Sequence, residues 1–214
     1  MKQLFFDSEF CSMGRWIALV AAEKLGLAFY DDQELFKLAD PEDLNAKQAA
    51  ELTEWLKVTE NDYQAVSQNL KFRQTEQAFR QAVQQALAKG PCAIHERGSV
   101  DLKSEDTLAI MIYNSDVKDK SQRVGFEKKY SQEELSEQQR LLLLKQEDQA
   151  RRLYKNAAAG QEIWGKKEYY DLCIDTAAFS KEKCVDILVN ALSESAISNE
   201  DFTKIVIEKY GVVE

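Results

Sequence analysis

The stretch Phe5–Gly26, FFDSEFCSMGRWIALVAAEKLG, decides the fold. Leu4 to Phe6 reads as a short strand and Asp7 to Met13 as a compact turn. From Gly14 to Leu25 only Arg15, Glu23 and Lys24 are charged, so the pattern predicts a helix buried on most sides. A strand that turns directly into a helix aims the free N–H groups of the first helical turn at one point, where the helix dipole favours an anion. A full phosphate cradle also asks for glycines that let the backbone approach closely. It needs a lysine for the outer phosphates and a Ser or Thr hydroxyl for magnesium. Ser12 and Gly14 stand in suitable positions, but no lysine is present, and Cys11 and Met13 stand where glycines are expected. Taken alone, the segment reads equally well as an ordinary strand–turn–helix.

The rest of the chain alternates the same two elements. Leu27 to Tyr30 reads as a short strand or connector. From Pro41 to Lys89 apolar residues recur at helical spacing (Phe72, Ala78 or Phe79, Ala82-Val83, Ala86-Leu87), and Gly90-Pro91 ends that run. Pro91 to Glu96 and Thr107 to Tyr113 (TLAIMIY) read as strands buried on both faces. Ser131 with Glu134 has capping-box spacing and predicts a long charged helix from Gln132 to about Ala159, ended at Gly160. Tyr170 to Ile174 is the last strand. Ser180 is the expected cap of a helix through Leu192, and Asn199 of a terminal helix to about Lys209. This alternation predicts an α/β fold, a parallel sheet sandwiched between helices, with residues 1–214 forming one domain.

Composition narrows the function. The 214 residues carry a net charge of -9, which disfavours nucleic acid as a partner. No apolar run reaches the roughly 20 residues that span a bilayer, and no leader pattern is seen at the start, so no membrane partner and a cytoplasmic location are expected. Cys11, Cys92, Cys173 and Cys184 are scattered without metal or disulfide spacing. His95 is the sole histidine and lies in an apolar strand, where a packed ring is the simpler reading. No metal-ligating set is predicted.

Three segments, in order along the chain, resemble the cytidylate kinase-like family of P-loop nucleoside monophosphate kinases. Asp7 to Ala18, Ala21 to Gly26 and Tyr30-Asp31 follow that family's S-R-E-Y-G-S-G-G-R-x-I-A-x-x-L-A-x-x-L-G-x-x-x-Y-D. Ala88 to Leu102 follows A-x-x-G-x-C-V-I-V-G-R-x-A-D-x-I-L, with Glu96 in place of a glycine and Val100 in place of the aspartate. Asp148-x-x-Arg151-x-x-Tyr154, Trp164-Gly165 and Tyr170 to Thr176 follow D-x-x-R-x-x-Y-Y, W-G and Y-D-L-x-I-N-T. The family's pattern itself carries Gly-Arg where other kinases have Lys-Ser, so the missing lysine is a family trait. The losses particular to this chain are Cys11 and Met13 for glycine and Ser8 for arginine.

The resemblance implies a three-layer P-loop kinase-like sandwich with a helical acceptor-side segment at 40–89 and a lid-like helical segment at 115–165. It implies nucleotide ligands, with ATP as donor, magnesium as helper and a monophosphate such as CMP as acceptor. Ser12, Met13, Gly14 and Arg15 fall on the donor-phosphate turn. Asp31 and Arg97 fall on the acceptor side, and Arg151, with Arg123, falls where lid arginines stabilise the transferring group. Physical chemistry supports such arginines independently, because phosphoryl transfer asks mainly for positioning and positive charge. The plainer alternative pairs Arg151 and Arg152 with Glu147 and Asp148 along a helix, with Asp148 serving as support for an arginine. Two functions follow: a working monophosphate kinase, or a catalytically inactive relative that binds a nucleotide or a protein partner.

Overall fold

The computed structural model describes residues 3–98, 102–127, 129–192 and 199–210. Among them, β1 (Gln3–Ser8), β2 (Ala28–Tyr30), β3 (Cys92–His95), β4 (Thr107–Tyr113) and β5 (Leu172–Asp175) form one sheet. Its order is β2-β3-β1-β4-β5 and every pairing is parallel. Phe6 lies opposite His95 on one side and Ile110 on the other, which fixes the register of the three central strands.

Parallel strands need crossovers, and the helices supply them on both faces. α1 (Gly14–Lys24) and α8 (Lys181–Leu192) cover one face. There Ile17, Ala18, Ala21, Ala22, Cys184 and Leu188 pack on Leu4, Phe6, Ala93, Ile110, Ile112 and Ile174. The opposite face carries α2 (Asp32–Phe36), α3 (Ala46–Val58), α4 (Tyr63–Gln68), α5 (Leu70–Ala88) and α7 (Glu137–Ala159) over Phe5, Cys92 and Ile94. Neighbouring residues of β1 thus serve opposite cores, as the two-residue period of a strand requires. α6 (Val117–Arg123) follows β4, and α9 (Asn199–Tyr210) follows α8. The molecule is the three-layer α/β sandwich that the alternation of elements predicted.

Several boundaries differ from the sequence reading. α7 begins at Glu137, not Gln132, because a second capping box, Ser136 with Gln139, lies closer to the apolar run Leu141–Leu144. The residue next to the expected cap, Tyr130, instead packs into a small cluster with Phe10. β3 stops at His95 because Glu96 turns to a φ of 64°, outside the range of a strand. β5 starts at Leu172, since the Tyr170 hydroxyl turns to Asp7 at 2.8 Å. α1 is buried along one stripe only, and Trp16, Leu19 and Val20 stand 53%, 37% and 44% exposed on its outer face. The Ser180 cap is present, with its Oγ accepting from the Lys183 N–H at 3.3 Å. The side chain of Asn199 lies outside the described residues.

Candidate functional site

The C-terminal ends of β1, β3 and β4 meet the start of α1 at one edge of the sheet, the place where open α/β folds bind ligands. The turn from Glu9 to Met13 lies there. Three non-glycine residues among those described have positive φ: Cys11 at 61°, Met13 at 67° and Glu96 at 64°. At each of the three the pattern quoted above has a glycine that this chain lacks. The backbone therefore keeps a glycine conformation under larger side chains, at about 1 kcal/mol or more each.

Gly14 is held by a different force. A Cβ there would lie 2.2 Å from Ser8 Cβ, so no other residue, lysine included, fits without displacing β1. Met13 caps α1 without a side-chain hydrogen bond, and the first turn carries no acidic residue, so no carboxylate of α1 itself meets the positive end of its dipole.

The turn itself is filled. Ser12 is fully buried, its hydroxyl donating to the Ile112 carbonyl at 3.2 Å and accepting from Gly14 N–H at 3.3 Å. Phe10 and Cys11 pack with Val124, Tyr130 and Leu144 into a third apolar cluster between the turn and the 115–165 segment. Burial, reinforced by Glu127, pushes the Cys11 thiol up to about 12, which favours the protonated form. The Phe10 N–H, free to meet an anion in a phosphate cradle, instead donates to Asp148 Oδ1 at 2.6 Å. Asp148 thus supports the turn rather than an arginine. Its second oxygen lies 3.5 Å from Lys120 Nζ, which is itself 2.7 Å from Glu9.

Each arginine singled out from sequence has an acidic partner. Arg15 donates to Asp31 Oδ2 from Nε at 2.9 Å and Nη2 at 2.5 Å, while Asp31 Oδ1 caps α2. Arg97 forks onto Asp32 and lies beside the edge-to-face pair of Phe79 and Tyr154 rings, 4.3 Å from each centroid. Arg123 pairs with Asp119 at 2.6 Å and reaches the Cys11 carbonyl at 3.4 Å. Arg151 donates from Nε to Glu96 at 2.8 Å, lies 3.5 Å from Glu147 and sits over the Phe10 ring at 5.2 Å. The helix pairing of Arg151 with Glu147 is thus present beside a longer-range partner, whereas Arg152 turns away to Asn61.

Sequence reasoning passed over several residues at this edge. Asp32 is the partner of Arg97. Lys155 is buried and bonds Asp7 at 2.9 Å and the Gly98 carbonyl. Helical spacing could have found Lys155, since Asp148, Arg151 and Lys155 share one face of α7. Lys57 is 4% exposed and meets Glu147 at 2.6 Å, and the Tyr130 hydroxyl donates to the same carboxylate at 2.8 Å. His95 is buried, which lowers its pKa, and its Nε2 lies 3.1 Å from Ser8 Oγ.

These groups can be tested against the ligands expected here. Arg15 stands where other kinases carry the hydroxyl that reaches magnesium, and the nearby Ser12 hydroxyl is spent on backbone. The described residues hold no cluster of three His, Cys, Asp or Glu side chains able to ligate a metal. Phe10 and Cys11, on the turn where the resemblance implies the donor phosphates, are themselves covered by Val124, Tyr130 and Leu144. In this arrangement the residues do not fit ATP and magnesium. A cavity of about 200 Å³ lies on the α7 side of β1 and β4, bounded by Phe5, Asp7, Lys155, Ile163 and Tyr170.

No helix among the described residues is long and apolar enough to cross a membrane. Among solved structures, the chain is similar to an uncharacterized protein from Eubacterium ventriosum ATCC 27560. That match has 17% identity and a TM-score of 0.63, and covers 91% of this chain and 99% of that one. A dephospho-CoA kinase from Campylobacter jejuni matches at 15% identity and a TM-score of 0.40, over 88% of this chain and 97% of that one. No curated protein matches. The model of the cytidylate kinase-like family matches residues 6–178, from the last part of β1 to just past β5. The chain belongs to the cytidylate kinase-like family.

Proposed function

We propose that this chain is a catalytically silent member of its family. It keeps the nucleotide-kinase scaffold and works through binding, of a nucleoside monophosphate such as CMP or of a protein partner, rather than through phosphoryl transfer from ATP. One observation carries the reading: the turn that would cradle the donor phosphates is occupied from within. Phe10 and Cys11 are buried against Val124, Tyr130 and Leu144, and the Asp148 carboxylate takes the Phe10 N–H. Opening that site would expose an apolar cluster and take the Phe10 N–H from the partly buried Asp148 carboxylate, and both changes oppose ATP binding.

The second reading is transfer from ATP to CMP or a similar monophosphate, with magnesium as helper. The N-terminus of α1, with no acidic residue in its first turn, and four arginines, Arg15, Arg97, Arg123 and Arg151, favour it. In that reading Ser12, Met13, Gly14 and Arg15 bind donor phosphates, and Asp31 and Arg97 hold the acceptor. Arg151 and Arg123 neutralise the transferring group. Each arginine would first have to leave its carboxylate.

Calorimetry with ATP, ADP, CMP, dCMP and UMP, with and without magnesium, separates the two. The silent reading expects no ATP binding and no CMP-dependent ADP release. Tight ATP binding with turnover, abolished by Arg151→Ala and kept or raised by Met13→Gly, would overturn it.

A further inference from the structure

The most unusual residue at the site is Glu96. It stands where the family pattern has glycine, and its backbone has the left-handed φ of 64° that glycine tolerates best. The strain is matched by what the side chain does. Its carboxylate oxygen Oε1 accepts from Ser8 Oγ at 3.2 Å and from Arg151 Nε at 2.8 Å. The same oxygen lies 3.7 Å from His95 Nε2. The Ser8 hydroxyl has one proton; with that proton on Glu96, its oxygen accepts from His95. A hydroxyl from β1 and a guanidinium from α7 thus donate to one negatively charged oxygen, with the His95 imidazole behind the hydroxyl.

Those donors are what a tetrahedral oxyanion needs, and their geometry is set by the fold rather than by Glu96. Ser8 ends β1, His95 ends β3, and Arg151 is held on α7 by Glu147 and by the Phe10 ring. Glu96 also borders a cavity of about 10 Å³, shared with Arg80, Arg97 and Lys155, which has room for about one water and none for a phosphate group.

We propose that Glu96 is a resident anion: its carboxylate fills an oxyanion pocket built by Ser8 and Arg151, and a phosphate group binds there only by displacing it. The phosphate can be free or the monoester of a nucleotide. This deepens the silent-member reading and rests on it for the idea that side chains of this chain stand in for ligand anions.

The test measures binding of inorganic phosphate, CMP and cytidine to the full chain by calorimetry, for wild type, Glu96→Gly and Glu96→Gln. Glu96→Gly removes the carboxylate and restores the residue the backbone prefers, while Glu96→Gln keeps the shape without the charge. Phosphate affinity should rise roughly tenfold or more in Glu96→Gly and less in Glu96→Gln, as expected when a competing charge leaves a partly buried site. Adding Arg151→Gln should remove the gain, and cytidine should show none. A larger gain for CMP than for phosphate would identify the nucleotide as the source of the anion, and equal gains would identify free phosphate. A cooperatively unfolding Glu96→Gly protein with wild-type phosphate affinity would overturn the proposal. So would a gain that survives Arg151→Gln. If Glu96→Gly does not fold, the same criteria apply to Glu96→Gln. ATP turnover by the wild-type protein would overturn the silent reading and leave these phosphate comparisons to stand or fall on their own.

Discussion

The guanidinium of Arg97 and the carboxylate of Asp32 meet fork to fork, Nε 2.7 Å from Oδ1 and Nη2 2.6 Å from Oδ2. The pair joins the end of β3 to the start of α2, and the rings of Phe79 and Tyr154 pack against two adjacent sides of the guanidinium. Its charge is therefore satisfied by one acid and shielded from water. Asp32→Asn should destabilise the protein by about 2–3 kcal/mol, below the full cost of a buried unpaired charge because Asp32 is partly solvated. Urea unfolding checks this through the midpoint at constant slope. A change below about 0.5 kcal/mol would show the pair to be a surface contact in energy.

Gly14 and Met13 are adjacent and make opposite predictions. Gly14→Ala places a methyl against Ser8 Cβ and should cost about 2–3 kcal/mol through forced backbone movement. Met13→Gly relieves a positive φ and should gain about 0.5–1 kcal/mol. Restoring a lysine at position 14 should consequently unfold the protein before it binds ATP. Thermal unfolding of the three variants gives the order directly.

Leu144 anchors the 115–165 segment onto the turn through the cluster with Phe10, Cys11, Val124 and Tyr130. Leu144→Ala should cost about 2–4 kcal/mol for a buried leucine. The loss should be local, so amide exchange at Cys11 to Gly14 should speed up by about tenfold or more while the β1 amides change less. Equal acceleration in β1 and the turn would mean that the segment and the sheet open together.

Glu96 makes stability depend on pH. Burial alone would raise its pKa, but the attraction of Arg151 on α7, with His95 and Arg97 beside it on the chain, holds it down to about 2. Glu147 shares Arg151 with it. A carboxyl that is more acidic when folded than unfolded contributes stability above its unfolded pKa, near 4.5. That contribution fades as pH falls toward 2. At pH 7 Glu96→Gln should be less stable than wild type by about 2–3 kcal/mol. The gap should close between pH 4.5 and 2. A constant gap over this range would show that ionisation of Glu96 is not its source.

The linear order of apolar runs, turns and caps was enough to determine the α/β sandwich, because helical and strand periodicities are local properties of the chain. The order of the family-like segments was likewise enough to locate the edge of the sheet where Asp7 to Arg15, Glu96-Arg97 and Arg151 meet. Sequence also marked Cys11, Met13 and Glu96 as departures from glycine. It could not show that all three keep a glycine backbone, since φ is imposed by the strands and helices on either side. Nor could it show which acid each arginine meets. Asp32 is 65 residues from Arg97 and Glu96 is 55 from Arg151, and such pairs are chosen by how strands and helices are stacked. The capping box at Ser131 lost to the one at Ser136 for the same reason, because burial of Tyr130 and Leu144 on the turn is a tertiary gain. Whether the turn is an open cradle or a small apolar core was thus decided by packing, through contacts between residues more than a hundred positions apart.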